Sequence, residues 1–409
     1  MLPSELGNSP RIGMRSRPIS GSVENEVTWQ GAREIAEALM GVGPTEKIAL
    51  SVSDHRVLAL DHFALVDLPS FDNSAMDGWA VSGDGPWDIT REVVAGEFPT
   101  WELSTGEACS IATGAPVPQG TTAIIRSENG TVTDKKLVTA VEPSLDIRKA
   151  GEECRVGDLM LSSGSRLSPS SIGVLAATGH DSVTVRVQPT VHILVFGDEL
   201  TFEGIPQQGK IRDSLGPQLP GWLNRMGAVV TQVTHCTDSL TQVEETLSKV
   251  TADIVITTGG TASGPRDFLR AVLEKLDATL HIDGVHVRPG HPMMLATISR
   301  PDHRTVPVIG LPGNPLSAIV GLLTLAQPII NSVLGLQQEA LENLITSHDL
   351  YSKNGTRLVA GFANSGTFAV AEFNGSAMLR GLSHSTGFAV IESDTPAGAP
   401  VKYLPLPHM

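Results

Sequence analysis

Four short loops carry most of the residues in this chain that could do chemistry, and each follows an apolar run. Gly197-Asp198-Glu199 follows VHILVF, Asp238 comes after AVVTQV, Gly259-Gly260 with Asp267 follows DIVITT, and Leu311-Pro312-Gly313-Asn314-Pro315 follows VPVIG. In an open α/β sheet ligands bind outside the carboxyl ends of the strands, so these loops are expected to share one rim. Gly259-Gly260 and Pro312-Gly313-Asn314 run into helix-like segments, where free backbone N–H groups and the helix dipole favour an anion. Carboxylates beside such an anion repel it unless a hard cation lies between them, and Mg²⁺ commonly bridges carboxylates to substrate phosphates. The residues thus point to a metal-assisted site for a phosphorylated or pyrophosphate-containing small molecule, with Asp198, Glu199, Asp238 and Asp267 as the carboxylates.

Other chemistries fail on spacing. The Gly209-Lys210 pair is followed by Ile211 rather than Ser or Thr, so no Walker A loop is present, and GGTASG has the wrong glycine offsets for a dinucleotide fingerprint. A nicotinamide enzyme is disfavoured, and without a GxSxG elbow so is a Ser-His-Asp hydrolase. His281, His286 and His291 resemble a metal cluster, but the spacing of the first two puts them on opposite faces of a strand. Structural readings compete with the rest: glycines and prolines at strand ends make plain turns, and Asp238 and Ser239 stand where helix N-caps stand. The loops FDNSAMDGWAV and IATGAPVPQG, with Asp77 and Thr113, are turn-rich and announce no chemistry by composition.

The 409 residues are too many for one core and suggest two to four domains. A formal net charge of -15 argues against a grip on nucleic acid phosphates, although a local basic pocket for a small anion stays open. No apolar run is expected to reach the roughly 18 residues that a membrane span requires. Residues 1–22 are rich in Ser, Pro, Gly and Arg without the apolar core of a signal peptide, which predicts a disordered tail and a cytoplasmic protein. Cys109, Cys154 and Cys236 stand far apart and read as reduced core residues.

The elements that must position the loops follow from periodicity. Thr28 is the expected N-cap of a helix to Met40, and a second short helix is expected near Asp54. Residues 67–145 are short β-prone runs between Gly and Pro turns, interrupting a mixed α/β domain made of 23–66 and 146–184. Residues 185–334 alternate apolar strands with helix-like segments near 216–226, 239–250, 266–276 and 317–334, the βαβ pattern of a parallel sheet. Residues 335–409 return to Gly-separated strands such as RLVAGFA and GFAVIES, a terminal β-domain. The fold class is therefore α/β multidomain.

Together and in order, DLPSFDNSAMDGWAV, IATGAPVPQG, GEECRVGD, FGDEL, GKIRDS, TTGGTASGPRD, VRPGHP and GLPGNPLSA resemble the molybdopterin molybdenumtransferase family, the MoeA-like enzymes related to the gephyrin E domain. The resemblance runs from about Val23 to the C-terminus. It implies a split mixed α/β domain, an inserted β-rich domain, a central molybdopterin-binding domain like the molybdopterin adenylyltransferase fold, and a C-terminal β-barrel. It also implies a homodimer whose cleft joins the central domain of one subunit to the first two domains of the other, with the molybdopterin adenylyltransferase as a further implied partner. The implied reaction takes adenylylated molybdopterin and molybdate, cleaves the pyrophosphate link with Mg²⁺, inserts molybdenum at the dithiolene and releases AMP. Carried over by position, Asp77, Thr113, Glu199 and Asp267 are the implied catalytic residues, and Asp238 with Asp267 the metal or pyrophosphate partners. Implied substrate contacts are Asp238, Gly259, Gly260, Ser263, Arg288, His291, Pro312, Gly313, Asn314, Pro315 and Ser317.

The departures from the family pattern are Phe196 for Thr, TGGTASG followed by Pro265 for SGGVSVG and an acidic residue, His291 for Lys, Leu215 for Asn, Glu153 for Asp and Trp79 for Tyr. A permanent ammonium suits an oxyanion better than a partly protonated histidine, so Arg266 and Arg288 are the candidates to replace the lysine charge. The alternative to an active enzyme is a divergent paralogue that binds or delivers molybdopterin or its cofactor without insertion.

Overall fold

The computed structural model describes residues 27–407, apart from 95, 262–267, 301 and 339. The chain forms two compact units, one of Glu46–Val185 and one that combines the residues up to Thr45 with Arg186 onwards.

In the second unit, six strands form a sheet in the order Val229–Cys236, Thr190–Phe196, Ile254–Thr258, Thr305–Leu311, Met294–Ser299 and Thr279–Asp283. The first four run parallel, Met294–Ser299 runs antiparallel to both its neighbours, and Thr279–Asp283 therefore points the same way as the first four. VHILVF and IVITT are buried throughout, as expected for strands covered on both faces. Asp253 sets their register at the amino end: its carboxylate accepts from the Thr190 amide at 2.9 Å and hydroxyl at 2.6 Å, and its own amide donates back to that hydroxyl. Helices Leu215–Met226, Leu240–Lys249 and Phe268–Lys275 connect the parallel strands, and Val243, Leu247, Leu269 and Val272 fill the core with Leu194 and Val255. The three lie where the sequence period places them.

The last helical run, Pro315–Leu334, corrects the expectation about apolar length. Its 20 residues are long and apolar enough for a membrane, with a mean hydropathy of 1.6, yet 83% of its 18-residue apolar window is buried inside the protein. The interior needs such a helix because it is covered on every side, and one cover is the helix Trp29–Leu39. That helix starts on the expected cap, Thr28 Oγ1 accepting from the Gly31 amide at 3.1 Å. Its apolar stripe of Trp29, Ala32 and Ala36 therefore assembles with the second unit, not with Glu46–Val185.

Leu322–Ala326 is a π-turn within the run. With bonds shifted to i→i+5, the Leu323 carbonyl faces position 328, a proline with no N–H to give. Arg33 supplies the missing donor, its Nη1 donating to the Leu323 carbonyl at 2.6 Å while Nη2 reaches Gln338 at 2.8 Å. Burial pulls the Arg33 guanidinium down to about 10, opposed by nearby Glu37, so it stays charged at neutral pH. Trp29 Nε1 donates to Thr324 Oγ1 at 3.0 Å on the next residue.

Beyond Leu334, strands Thr356–Asn364, Thr367–Val370, Glu342–Thr346, Pro400–Pro405 and Gly387–Ile391 close on themselves into the expected β-barrel, here of five strands, around Phe368, Val359, Ala389 and Tyr403. His281 and His286 fall in separate strands, Thr279–Asp283 and Val285–Arg288, instead of opposite faces of one, because Gly284 turns the chain between them at a φ of 91°.

The Glu46–Val185 unit contains a six-stranded sheet in the order Ala123–Arg126, Gly78–Val81, Glu107–Ile111, Trp87–Val93, Lys136–Thr139 and Gly130–Thr133. All six strands fall within residues 67–145, the span whose short runs read as β-prone in the sequence. No helix begins at Asp54; a single 3₁₀ turn at Leu50–Val52 precedes it, and His55 takes a positive φ of 61° that a continuing helix forbids.

Arg33→Ala removes the side-chain donor that reaches the Leu323 carbonyl from across the helix pair. It is expected to cost about 2–3 kcal/mol, the range for a buried hydrogen bond from a charged group, read as a lowered midpoint of thermal or urea unfolding.

Candidate functional site

The register brings the strand ends level. Phe196 pairs with Cys236, Val195 with Thr258, and Thr258 with Leu311. A cleft of about 760 Å³ opens on this rim. Phe196, Glu199 and Leu200 line it from the first loop, Thr258 to Thr261 from the glycine turn, and Pro312 to Pro315 from the last. The returning segment Ile211 to Leu215, with Pro292, Ala377 and Leu379, completes the wall.

Gly259 and Gly260 make the tight turn at the floor with φ of 81° and 69°. A side chain in this left-handed region costs roughly 1–2 kcal/mol, so the turn requires glycine. The Gly259 amide donates to the Leu311 carbonyl at 2.9 Å, tying two of the loops together. A Cβ on Gly260 would stand 3.2 Å from Cδ2 of Phe196, which shows how closely that ring packs against the turn. Phe196 is 9% exposed and gives the cleft an aromatic surface where a threonine would offer a hydroxyl.

The helix end at Pro315 differs from the anion cradle that its sequence suggests. Its amides at Leu316 and Ser317 donate to a single acceptor, the Ser376 carbonyl, at 3.0 and 3.3 Å. A loop of the terminal β-domain thus supplies the cap that an N-terminal side chain would ordinarily provide. Asn314 stands at the N-cap position without capping, and its exposed side chain faces the cleft it lines. Ser317 is buried and outside the cleft.

Among the carboxylates expected from the sequence, Glu199 lines the cleft. Asp198 and Asp238 are joined on the adjacent edge, the Asp238 amide donating to Asp198 Oδ1 at 3.2 Å, but neither lines the cleft. Asp267 and Ser263, with Arg266 and Pro265, lie outside the described residues. Among the described residues no three His, Cys, Asp or Glu side chains form a metal-holding group. Mg²⁺ needs only one or two protein carboxylates when substrate phosphates and waters complete its shell, and the hard oxygen donors of this edge fit that requirement. Arg288 and His291 are not brought into the cleft. Arg288 belongs to a strand paired with Thr356–Asn364, and His291 turns its ring back, Nδ1 lying 2.9 Å from the Val285 carbonyl.

Asp213 was not singled out by sequence. It is buried, its Oδ1 accepts from the Leu215 and Gly216 amides at 2.9 and 3.0 Å, and its Oδ2 lies 3.7 Å from His235 Nε2. An Asp two residues before a helix is a readable capping signal. Ala377 and Leu379 had no such signal, because only the chain fold carries a loop of the barrel domain to this rim.

Asp77 and Thr113 form a pair in the Glu46–Val185 unit. Asp77 Oδ1 accepts from the Thr113 amide at 2.6 Å and hydroxyl at 2.9 Å. These bonds, the amide first, hold the carboxyl below the usual aspartate range although it is fully exposed. A depressed folded pKa means that the contact contributes above the unfolded pKa and is lost as pH falls through the depressed value.

Two outcomes follow from this geometry. Thr113→Val deletes the hydroxyl donor and is expected to raise the Asp77 titration midpoint, followed by carboxyl-carbon NMR, towards the ordinary range. Asn314→Ala is expected to leave thermal stability unchanged, whereas a capping Asn would lose about 1 kcal/mol, and to weaken ligand binding instead.

Comparison with known proteins agrees along both units. Residues 27–179 match the MoeA N-terminal region (domain I and II), and residues 192–332 match the probable molybdopterin binding domain. The molybdopterin molybdenumtransferase of Haemophilus influenzae is 33% identical over 320 residues, covering 76% of this chain and 78% of the relative. That of Bacillus subtilis is 33% identical over 314 residues, 71% of each. The fold is shared with the crystal structure of the molybdopterin biosynthesis moeA protein from Pyrococcus horikoshii, at a TM-score of 0.75 and 24% identity, over 93% of this chain and 99% of that one. On these matches, with the eight ordered motifs behind them, the chain belongs to the molybdopterin molybdenumtransferase family, enzymes of molybdenum cofactor biosynthesis.

Proposed function

We propose that this protein inserts molybdate into adenylylated molybdopterin in a Mg²⁺-dependent reaction that releases AMP. The observation that carries the reading is the cleft itself: Glu199, the Gly259-Gly260 turn and the Asn314 side chain line one space at the strand ends. Among the described residues the Gly260, Gly313 and Asn314 amides have no protein acceptor, which leaves three donors for the oxygens of a phosphate. Glu199 orients the substrate by its charge, and Phe196 and Leu379 supply apolar surface for the flat part of the ligand. The wall of side chains shields the reacting link from bulk water. Asp238 and Asp267 would hold Mg²⁺, which when bound neutralises charge on the pyrophosphate.

In this reading Asp77 and Thr113 act in a homodimer, presented by one copy to the cleft of the other, in the cytoplasm, with the molybdopterin adenylyltransferase handing over the substrate. The competing reading, a divergent paralogue that binds or delivers the cofactor, is favoured by Phe196, which takes a hydroxyl out of the cleft wall.

Incubation with adenylylated molybdopterin, molybdate and Mg²⁺ is expected to release AMP. Glu199→Gln should slow this at least about tenfold, equivalent to about 1.4 kcal/mol of barrier. Tight pterin binding with no AMP at any pH would sink the insertion reading and leave the carrier.

A further inference from the structure

An anion entering this cleft approaches a chain of formal net charge -15, so local positive charge has to meet it. Among the described residues that line the cleft, Arg212 alone carries such a charge. Its backbone is held on both sides: Ile211–Arg212 pairs in parallel with Leu200–Thr201, the Ile211 amide donates to the Glu199 carbonyl at 3.0 Å, and the Asp213 amide donates to Thr201 at 3.0 Å. The next residue, Asp213, locks the segment to the start of its helix. The side chain is exposed, and its one hydrogen bond among the described residues is a 3.5 Å contact from Nη1 to the Thr201 carbonyl, at the outer limit of the interaction. A guanidinium has five donors in a fork that fits two phosphate oxygens, and this one keeps nearly all of them for a ligand.

We propose that Arg212 is the substrate-binding cation of the cleft, taking the phosphate end of the ligand in a charge-assisted pair. The inference rests on the function proposed above and adds the residue that binds the anion in place of Arg288 and His291, which do not line the cleft. A rigid backbone under a free guanidinium suits this role, because the charge is positioned at little cost in chain entropy.

The test is calorimetric titration of the full chain with AMP, using wild type, Arg212→Gln, Arg212→Lys and Lys210→Met. Arg212→Gln should weaken AMP about ten- to a hundredfold, as expected for loss of a charged hydrogen-bonded pair. Arg212→Lys should recover part of it, since the charge returns without the fork. Lys210, whose Nζ already donates to the Asp198 carbonyl at 2.6 Å, removes the same charge two residues away and should change little. Arg212→Gln binding equal to wild type, or an equal loss in Lys210→Met, overturns this inference alone. Wild type that binds no AMP overturns the reading of the cleft and the inference with it.

Discussion

The level ending of four parallel strands is the constraint from which the cleft follows. Asp253 and Thr190 clamp the amino ends of the two central strands, and the buried β-branched side chains between them leave no room for a slip. A shift of one residue would exchange the two buried faces of VHILVF, each packed against a different layer, and carry Glu199 away from the glycine turn. Because Phe196, Thr258 and Leu311 end together, the loops that follow can bond to one another, and the Gly259 amide reaches Leu311.

Polar groups freed by departures from regular structure are met from distant parts of the chain. The π-turn in the buried helix exposes the Leu323 carbonyl, which Arg33 satisfies. The helix end at Pro315 exposes two amides, which the Ser376 carbonyl satisfies. Both contacts convert a local defect into a tertiary bond, since a buried unpaired backbone group costs more than the bond returns. The second bears on the cleft: it commits the Leu316 and Ser317 amides within the protein, while Asn314 lines the open space.

The strands, the helices and the rim were legible because apolar period and turn residues are local signals. VHILVF, DIVITT and VPVIG announce themselves by composition, and Gly259-Gly260 by the positive φ that only glycine accepts cheaply. The burial of the run Pro315–Leu334 is not legible in the sequence, because length and hydropathy do not say whether lipid or protein covers it. The second short helix failed at His55, whose left-handed backbone is a tertiary choice.

Sequence by itself determined the family, through eight motifs in order, and the residues that end each strand, because these depend on neighbours along the chain. It could not determine which of those residues share a space. Arg288 and His291 sit within a motif of the family yet neither lines the cleft: Arg288 lies in a strand paired with Thr356–Asn364, and His291 Nδ1 lies against the Val285 carbonyl. Arg212, Ala377 and Leu379 enter the cleft only because a returning segment and a barrel loop are folded onto the rim. Proximity between residues far apart in the chain is set by packing and register, and these exist only in the folded protein.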